Sequence, residues 1–182
     1  MKATQQLKDE HGGIKIMLAI LDRICAKMES GGKVNTGHLK KSIEFIRVFA
    51  DKCHHAKEED ILFPAMEKAG IPRQGGPIGV MLMEHEMGRN FVKGMAEGLE
   101  LYEKDSTSYA KFVENARGYV KLLSNHIDKE DNILYPMADS RISEKEQDLM
   151  CDEFEKVEVE RIGKGKHEEF HELLKELKGI YL

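Results

Sequence analysis

The sequence predicts an all-α fold, an up-down-up-down four-helix bundle with two additional shorter C-terminal helices. Three observations predict it. Strand formers are scarce, three Thr and eight Val against sixteen Leu and ten Met. Apolar residues recur at alternating spacings of four and three, the period of a helix with one buried face. The breaks are few and short: Ser30-Gly31-Gly32, the run from Gly70 to Pro77, and weaker ones at Asp105-Ser106-Thr107-Ser108, around Ser140 and at Gly163-Lys164-Gly165.

The first helix, near 4–29, carries the seam Leu7, His11, Ile14, Leu18, Leu21, Cys25, Met28. The second, near 36–69, opens with Thr36 as N-cap, runs Leu39, Ile43, Ile46, Ala50, His54, Glu58, Ile61, Ala65, and ends at Gly70. The third, near 77–103, runs Met81, His85, Gly88, Val92, Met95, Leu99, Tyr102. The fourth, near 107–139 with Ser106 as N-cap, runs Tyr109, Phe112, Ala116, Tyr119, Leu123, His126, Glu130, Ile133, Met137. Two shorter helices follow near 143–161, opened by the capping box Ser143-Glu144-Lys145-Glu146, and near 166–178. Short connections make consecutive helices antiparallel neighbours, and the first four are long enough for a bundle of ~40 Å at ~1.5 Å per residue. Residues 1–140 are expected to form the bundle and 141–182 a helical extension packed on it.

Composition excludes several classes. At 182 residues, 41% apolar and 34% charged, the chain is neither disordered nor membrane-spanning, and its first residues lack the apolar core of a secretion signal. A net charge of −5 is a poor footprint for nucleic acid or anionic lipid. Cys25, Cys53 and Cys151 are scattered and odd in number, which argues against disulfides or a thiolate metal site and for a reducing, cytoplasmic setting.

The histidines carry the functional reading. His54 to Pro64 and His126 to Pro136 both read H-x-x-K-E-x-x-I-L-[FY]-P, at an offset of 72, and the pairs Glu10-His11 and Glu84-His85 repeat at an offset of 74. Each helical hairpin therefore offers one lone His and one His-x3-Glu, whose members stack on one helix face. His11 lies 18 residues before the end of its helix and His54 18 after the start of the next; His85 and His126 are placed alike, at about 18 and 19. At ~1.5 Å per residue each pair sits ~27 Å from its connecting loop. His11, His54, Glu58, His85, His126 and Glu130 thus converge on one layer of the core. Left alone, such groups would cost several kcal/mol per buried charge; two cations remove that cost, and a carboxylate can bridge them. Imidazole and carboxylate without thiolate suit iron or manganese, with zinc allowed.

The motifs H-H-x-x-E-E-x-x-L-F-P, G-P-x-x-x-M-x-x-E-H-x-x-G-R and H-I-x-K-E-x-x-x-[LFY]-x-P resemble the hemerythrin-like, HHE cation-binding family over residues 11–140. The resemblance implies a four-helix bundle around two iron ions in a non-haem, oxo- or hydroxo-bridged di-iron centre. It carries the ligand roles onto His11, His54, Glu58, His85, His126 and Glu130, with Glu58 and Glu130 bridging. The chain departs from the oxygen carriers of that family at two places. Arg89 stands where they have a fifth His, leaving an open or water-filled position on one iron unless His55 or Glu86 fills it. Their last carboxylate is an Asp five residues after its His; Asp131 is there, but Glu130 repeats Glu58 and is preferred.

Simpler roles account for the remaining candidates. His167-Glu168-Glu169-Phe170-His171 fits the zinc-protease H-E-x-x-H, but only eleven residues follow it and its helix already packs through Phe170, Leu173, Leu174 and Leu177. Glu168 and His171 also mimic half of a ferritin-type motif whose second half is missing. His38 is expected to face solvent and His55, one residue off the seam, to sit beside the site or at the surface. Cys53 reads as a small buried apolar residue with a redox-sensitive thiol as the alternative. Tyr119 is placed to pack or to donate a hydrogen bond near the cluster, and Pro64 and Pro136 to kink or end their helices.

The expected function is a non-haem di-iron protein that binds or senses O2, peroxide or NO, served by a redox partner protein. The alternatives are a di-iron enzyme with peroxidase, catalase-like or oxidase activity, and an iron storage or repair protein.

Overall fold

Among residues 2–163 and 165–182, which the computed structural model describes, all secondary structure is helical. Lys164, in the weak break noted above, lies outside the described residues. The helices are α1 (Ala3–Glu29), α2 (36–68), α3 (Pro77–Lys104), α4 (110–141), α5 (144–162) and α6 (Lys166–Tyr181). No helix of the described residues is long and apolar enough to cross a membrane.

Side chains that tie the helix ends together define the up-down-up-down course. Tyr102, at the end of α3, bonds the backbone N–H of Val34, which enters α2, at 2.9 Å. Arg117, early in α4, pairs with Asp22 and Glu29, late in α1. At Gly98 the backbone of α4 comes so close that a Cβ would stand 2.4 Å from the Phe112 nitrogen. That glycine lets α3 and α4 pack at backbone distance.

Local signals set most of the ends. The Ser143 capping box forms, the Ser143 hydroxyl accepting from the Glu146 N–H and the Glu146 carboxylate accepting from the Ser143 N–H. Gly70 adopts φ +87°, and Ile71 N–H bonds the Met66 carbonyl at 3.0 Å, closing α2. Two expected caps differ. Asn35, not Thr36, caps α2 by accepting from Gly37 N–H at 2.8 Å. Ser106 lies in a turn held by the Asp105 carboxylate, and α4 starts at Ala110 without a side-chain cap.

Pro64 and Pro136 do not end their helices. Each follows a π-helical turn, Glu58–Leu62 and Glu130–Leu134, in which the carbonyl of Glu58 or Glu130 accepts from the residue five on. The widened turn makes room for the proline ring, and the α-helix resumes to Lys68 and Arg141.

The interior is apolar at both ends and polar in the middle. One apolar cluster gathers Ile14, Leu21, Phe45, Met95 and Phe112. The other gathers Leu7, Phe63, Met81, Leu134 and Tyr135. Helix α5 inserts Phe154 into the second cluster, and α6 inserts Phe170, Leu174 and Leu177 into the first.

Candidate metal centre

All six predicted residues meet in the layer between the two apolar clusters, and none is more than 1% exposed. His11 Nε2 and His54 Nε2 are 3.1 Å apart, as are His85 Nε2 and His126 Nε2. Glu130 lies between the pairs, Oε2 at 3.2 Å from His11 Nε2 and Oε1 at 2.9 Å from His126 Nε2. Glu58 lies between them too, Oε2 at 3.4 Å from His85 Nε2 and 3.9 Å from His54 Nε2.

Behind each imidazole stands a carboxylate on its Nδ1: Asp131 at 2.8 Å from His11, Glu10 at 2.9 Å from His54, Glu59 at 2.7 Å from His85 and Glu84 at 2.9 Å from His126. Burial works against the charge on Glu10, Glu59 and Asp131, but the histidine and cation bonded to each outweigh it and hold them below the usual carboxylate range. On Glu84 the His126 bond is the leading influence in the same direction. An ionised carboxylate only accepts, so each Nδ1 carries the proton and each Nε2 turns its lone pair inward.

That orientation fits a cation. Two Nε2 lone pairs at 3.1 Å repel unless something positive lies between them. Glu58 Oε2 and both oxygens of Glu130 are buried without a hydrogen-bonding partner, since a neutral imidazole protonated on Nδ1 has no hydrogen on Nε2 to give. Protons can take the cation's place: burial pulls the His11 and His126 pKa down, but Asp131 and Glu130 push His11 up to about 9, and Glu130 and Glu84 push His126 up to about 10. Donor atoms of His11, His54 and Glu130 lie within 4.8 Å of one another, and so do those of His55, Glu58, His85 and His126.

Of the two places expected for His55 the surface one falls: it is 4% exposed and lies beside the site, its ring stacked on His85 with centroids 3.8 Å apart. Arg89 does not enter the centre. It pairs with Asp51, on His55 Nδ1, and with Glu59, on His85 Nδ1. Glu86 points outward, 67% exposed, toward Arg89. Asp131 sits behind His11, and Lys15 bonds it from outside at 2.9 Å.

Sequence reasoning missed Tyr135. Fully buried, it donates to Glu58 Oε1 at 2.7 Å and stacks on His11. The repeat held the signal: its counterpart at the offset of 72 is Phe63, which stacks on His85. Tyr119, singled out instead, lines a pocket of about 160 Å³ with His55, His85, Gly88 and Arg89.

The remaining candidates lie apart from the centre. His38 is half-buried, bonded to the Tyr181 hydroxyl at 2.8 Å, rather than facing solvent. His167 and His171 have ring centroids 4.6 Å apart and line a cleft with Asp9, Glu155 and Glu158. Cys53 is buried, and burial pushes its thiol up to about 12, so it stays protonated.

The hemerythrin HHE cation-binding domain, as a family, matches residues 2–138. An uncharacterised protein of Mycobacterium tuberculosis (strain ATCC 25618 / H37Rv) is 24% identical over 164 residues, 90% of this chain and 64% of its own length. The iron-sulfur cluster repair protein YtfE of Salmonella schwarzengrund is 35% identical over 89 residues, 47% of this chain and 40% of its own length. The chain therefore spans less than two thirds of the curated relatives it matches. No solved structure matches it.

Proposed function

The chain belongs to the hemerythrin HHE cation-binding family, and we propose that it is a non-haem di-iron protein that binds or senses a small oxidant or radical gas: O2, peroxide or NO. Its ligands would be His11 and His54 for one iron, His85 and His126 for the other, and Glu58 and Glu130 for both. One observation carries this reading: the Nε2 atoms of four imidazoles turn inward on one another and on buried carboxylate oxygens that have no hydrogen-bonding partner. Two irons held there would supply up to two electrons and an exchangeable coordination position. Thiolate plays no part, and the buried free Cys25 and Cys53 suit a reducing, cytoplasmic setting.

The chain's own residues set the conditions. The carboxylates on Nδ1 fix each tautomer and ring, which raises the basicity of Nε2. Tyr135 orients Glu58. The two apolar clusters flank the polar layer, and the pocket beside His55 and His85, with a volume of about 160 Å³, admits a ligand of a few atoms. A redox partner protein would reduce the centre.

A second reading, iron supply for cluster repair, is favoured by the similarity to the Salmonella iron-sulfur cluster repair protein; an enzymatic reading, peroxide turnover, draws on the same pocket. Metal analysis with an absorption spectrum tests the centre itself: two irons per chain are expected, and one or none refutes it. Mixing the reduced protein anaerobically with O2, NO or peroxide separates the functions. A stable reversible adduct supports binding or sensing. Oxygen evolution from peroxide supports the enzyme, and iron transfer to a cluster-free acceptor protein supports repair.

A further inference from the structure

The metal centre is built from two matching halves. At offsets of 72 and 74, each inward histidine, the carboxylate on its Nδ1 and the Lys or Arg holding that carboxylate all have a counterpart in the other half. Lys15 on Asp131 behind His11 matches Arg89 on Glu59 behind His85. Lys57 on Glu10 behind His54 matches Lys129 on Glu84 behind His126.

Asp51 and His55 break the match. Their counterparts are Leu123 and Ile127, 2% and 1% exposed, an ordinary apolar pair. The fold accepts two apolar side chains at these positions, so packing does not call for an imidazole and a carboxylate, and burying His55 to 4% exposure costs desolvation free energy. Resting on the two-metal reading above, we infer that His55 is a seventh ligand, which makes the metals inequivalent: three imidazoles hold the one beside His85 and His126, and two hold the other.

Three further observations support it. Asp51 stands 3.3 Å from His55 Nδ1, the same arrangement that turns the other four Nε2 atoms inward, and Arg89 bonds Asp51 at 2.9 Å. A donor atom of His55 lies within 4.8 Å of those of Glu58, His85 and His126, whereas the His11, His54 and Glu130 cluster has no fourth member among the described residues. The helix position of Arg89 gives no ligand, and Arg89 instead holds the carboxylate behind His55. The third imidazole thus comes from α2.

Cobalt(II) is the probe. Anaerobic titration of the metal-free protein should load two equivalents, and proton NMR of the loaded protein should show five strongly shifted, solvent-exchangeable imidazole N–H resonances. Two equivalents with only four such resonances overturns the assignment of His55 while leaving the two-metal reading intact. Fewer than two equivalents overturns both. His55→Ile copies the counterpart residue Ile127 and should keep the fold. It is expected to lose one resonance and to weaken one of the two cobalt sites by at least ~100-fold, beyond what loss of an outer partner costs. Unchanged affinity at both sites with an unchanged visible spectrum overturns the inference.

Discussion

Lys57 and Lys129 occupy the same place in the two repeats, each bonded to the carboxylate behind a histidine, yet Lys57 is 0% exposed and Lys129 36%. Helix α5 makes the difference. Glu158 reaches Lys57 Nζ at 2.5 Å, opposite Glu10 at 2.5 Å, and the Phe154 ring covers the ammonium. Burial alone would lower the Lys57 pKa, but Glu10 and Glu158 raise it and keep the charge. Removing one partner of a buried pair strands the other, at about 3–5 kcal/mol, whereas exposed pairs are worth about 0–1 kcal/mol. Lys57→Met should therefore destabilise the metal-free protein by about 3 kcal/mol in urea, and Lys129→Met by less than about 1. Equal losses would mean that α5 does not seal this half of the centre.

Metal loading should stabilise the fold strongly. A ligand at 1,000 times its Kd contributes about 4 kcal/mol, and one kcal/mol moves the Tm of a chain this size by about 2–4 °C. Iron(II) or cobalt(II) in that excess should raise the Tm by about 10 °C, and a chelator should reverse it. His126→Ala should abolish most of the shift and lower the metal content below two; a variant that keeps both metals contradicts the ligand set. Calorimetric scans with metal analysis of the same samples decide it.

In the metal-free protein, protons on His11 and His126 stand in for the cations. Both pKa values are raised, to about 9 and about 10, so their stabilisation is complete below the unfolded value near 6.5 and lost as pH rises through 9 to 10. Urea midpoints of the metal-free protein should fall between pH 7 and 10, while the loaded protein, whose imidazoles cannot bind protons there, should not show that fall. Metal uptake at pH 7 should release protons. Titration calorimetry in buffers of different ionisation enthalpy measures them, and a buffer-independent heat would contradict the protonated imidazoles.

The bundle and its polar layer were legible because each rests on a local signal: a seam of four-three spacing, a His-x3-Glu on one face, and equal distances from the loops. The carboxylates on Nδ1 were not. Glu10 lies next to His11 in sequence but bonds His54, and Glu84 lies next to His85 but bonds His126. Those pairings are made by the packing of neighbouring helices, which no single helix encodes. His55 and Tyr135 were hidden for a different reason. His55 lies one residue off the seam of its helix, and the [FY] position of the repeat masks the hydroxyl that separates Tyr135 from Phe63; set beside Ile127 and Phe63, the two stand out. That comparison marks both positions as buried and both side chains as polar where the fold accepts apolar ones.

Tyr135→Phe puts the Phe63 counterpart into its place, so packing should survive. What is lost is the 2.7 Å bond to Glu58 Oε1. A buried acceptor left without its donor costs about 1–3 kcal/mol, and the metal-free protein should lose that much in urea. The loaded protein should lose less, because a cation can take up the freed carboxylate oxygen, and its absorption bands should shift. An equal loss in both forms would mean that Glu58 keeps the same environment with and without metal.

Arg89 is the residue by which the chain most visibly differs from a centre with a histidine on that turn of α3. Its guanidinium holds Asp51 and Glu59 together, one behind His55 and one behind His85. Burial works against the charge on each carboxylate, but the histidine and Arg89 hold both below their ordinary range. Arg89→Met keeps the side-chain stem and removes the clamp from both imidazoles at once. Loss of such outer partners typically weakens metal binding by about 10–100-fold, and the loss should fall on the metal beside His85. Lys15→Met, the matching change behind His11, removes a half-exposed ammonium from one carboxylate and should cost less than about 10-fold. Competition against a chelator of known affinity measures both. Equal effects would show that Arg89 acts as a surface charge and not as the clamp on two imidazoles.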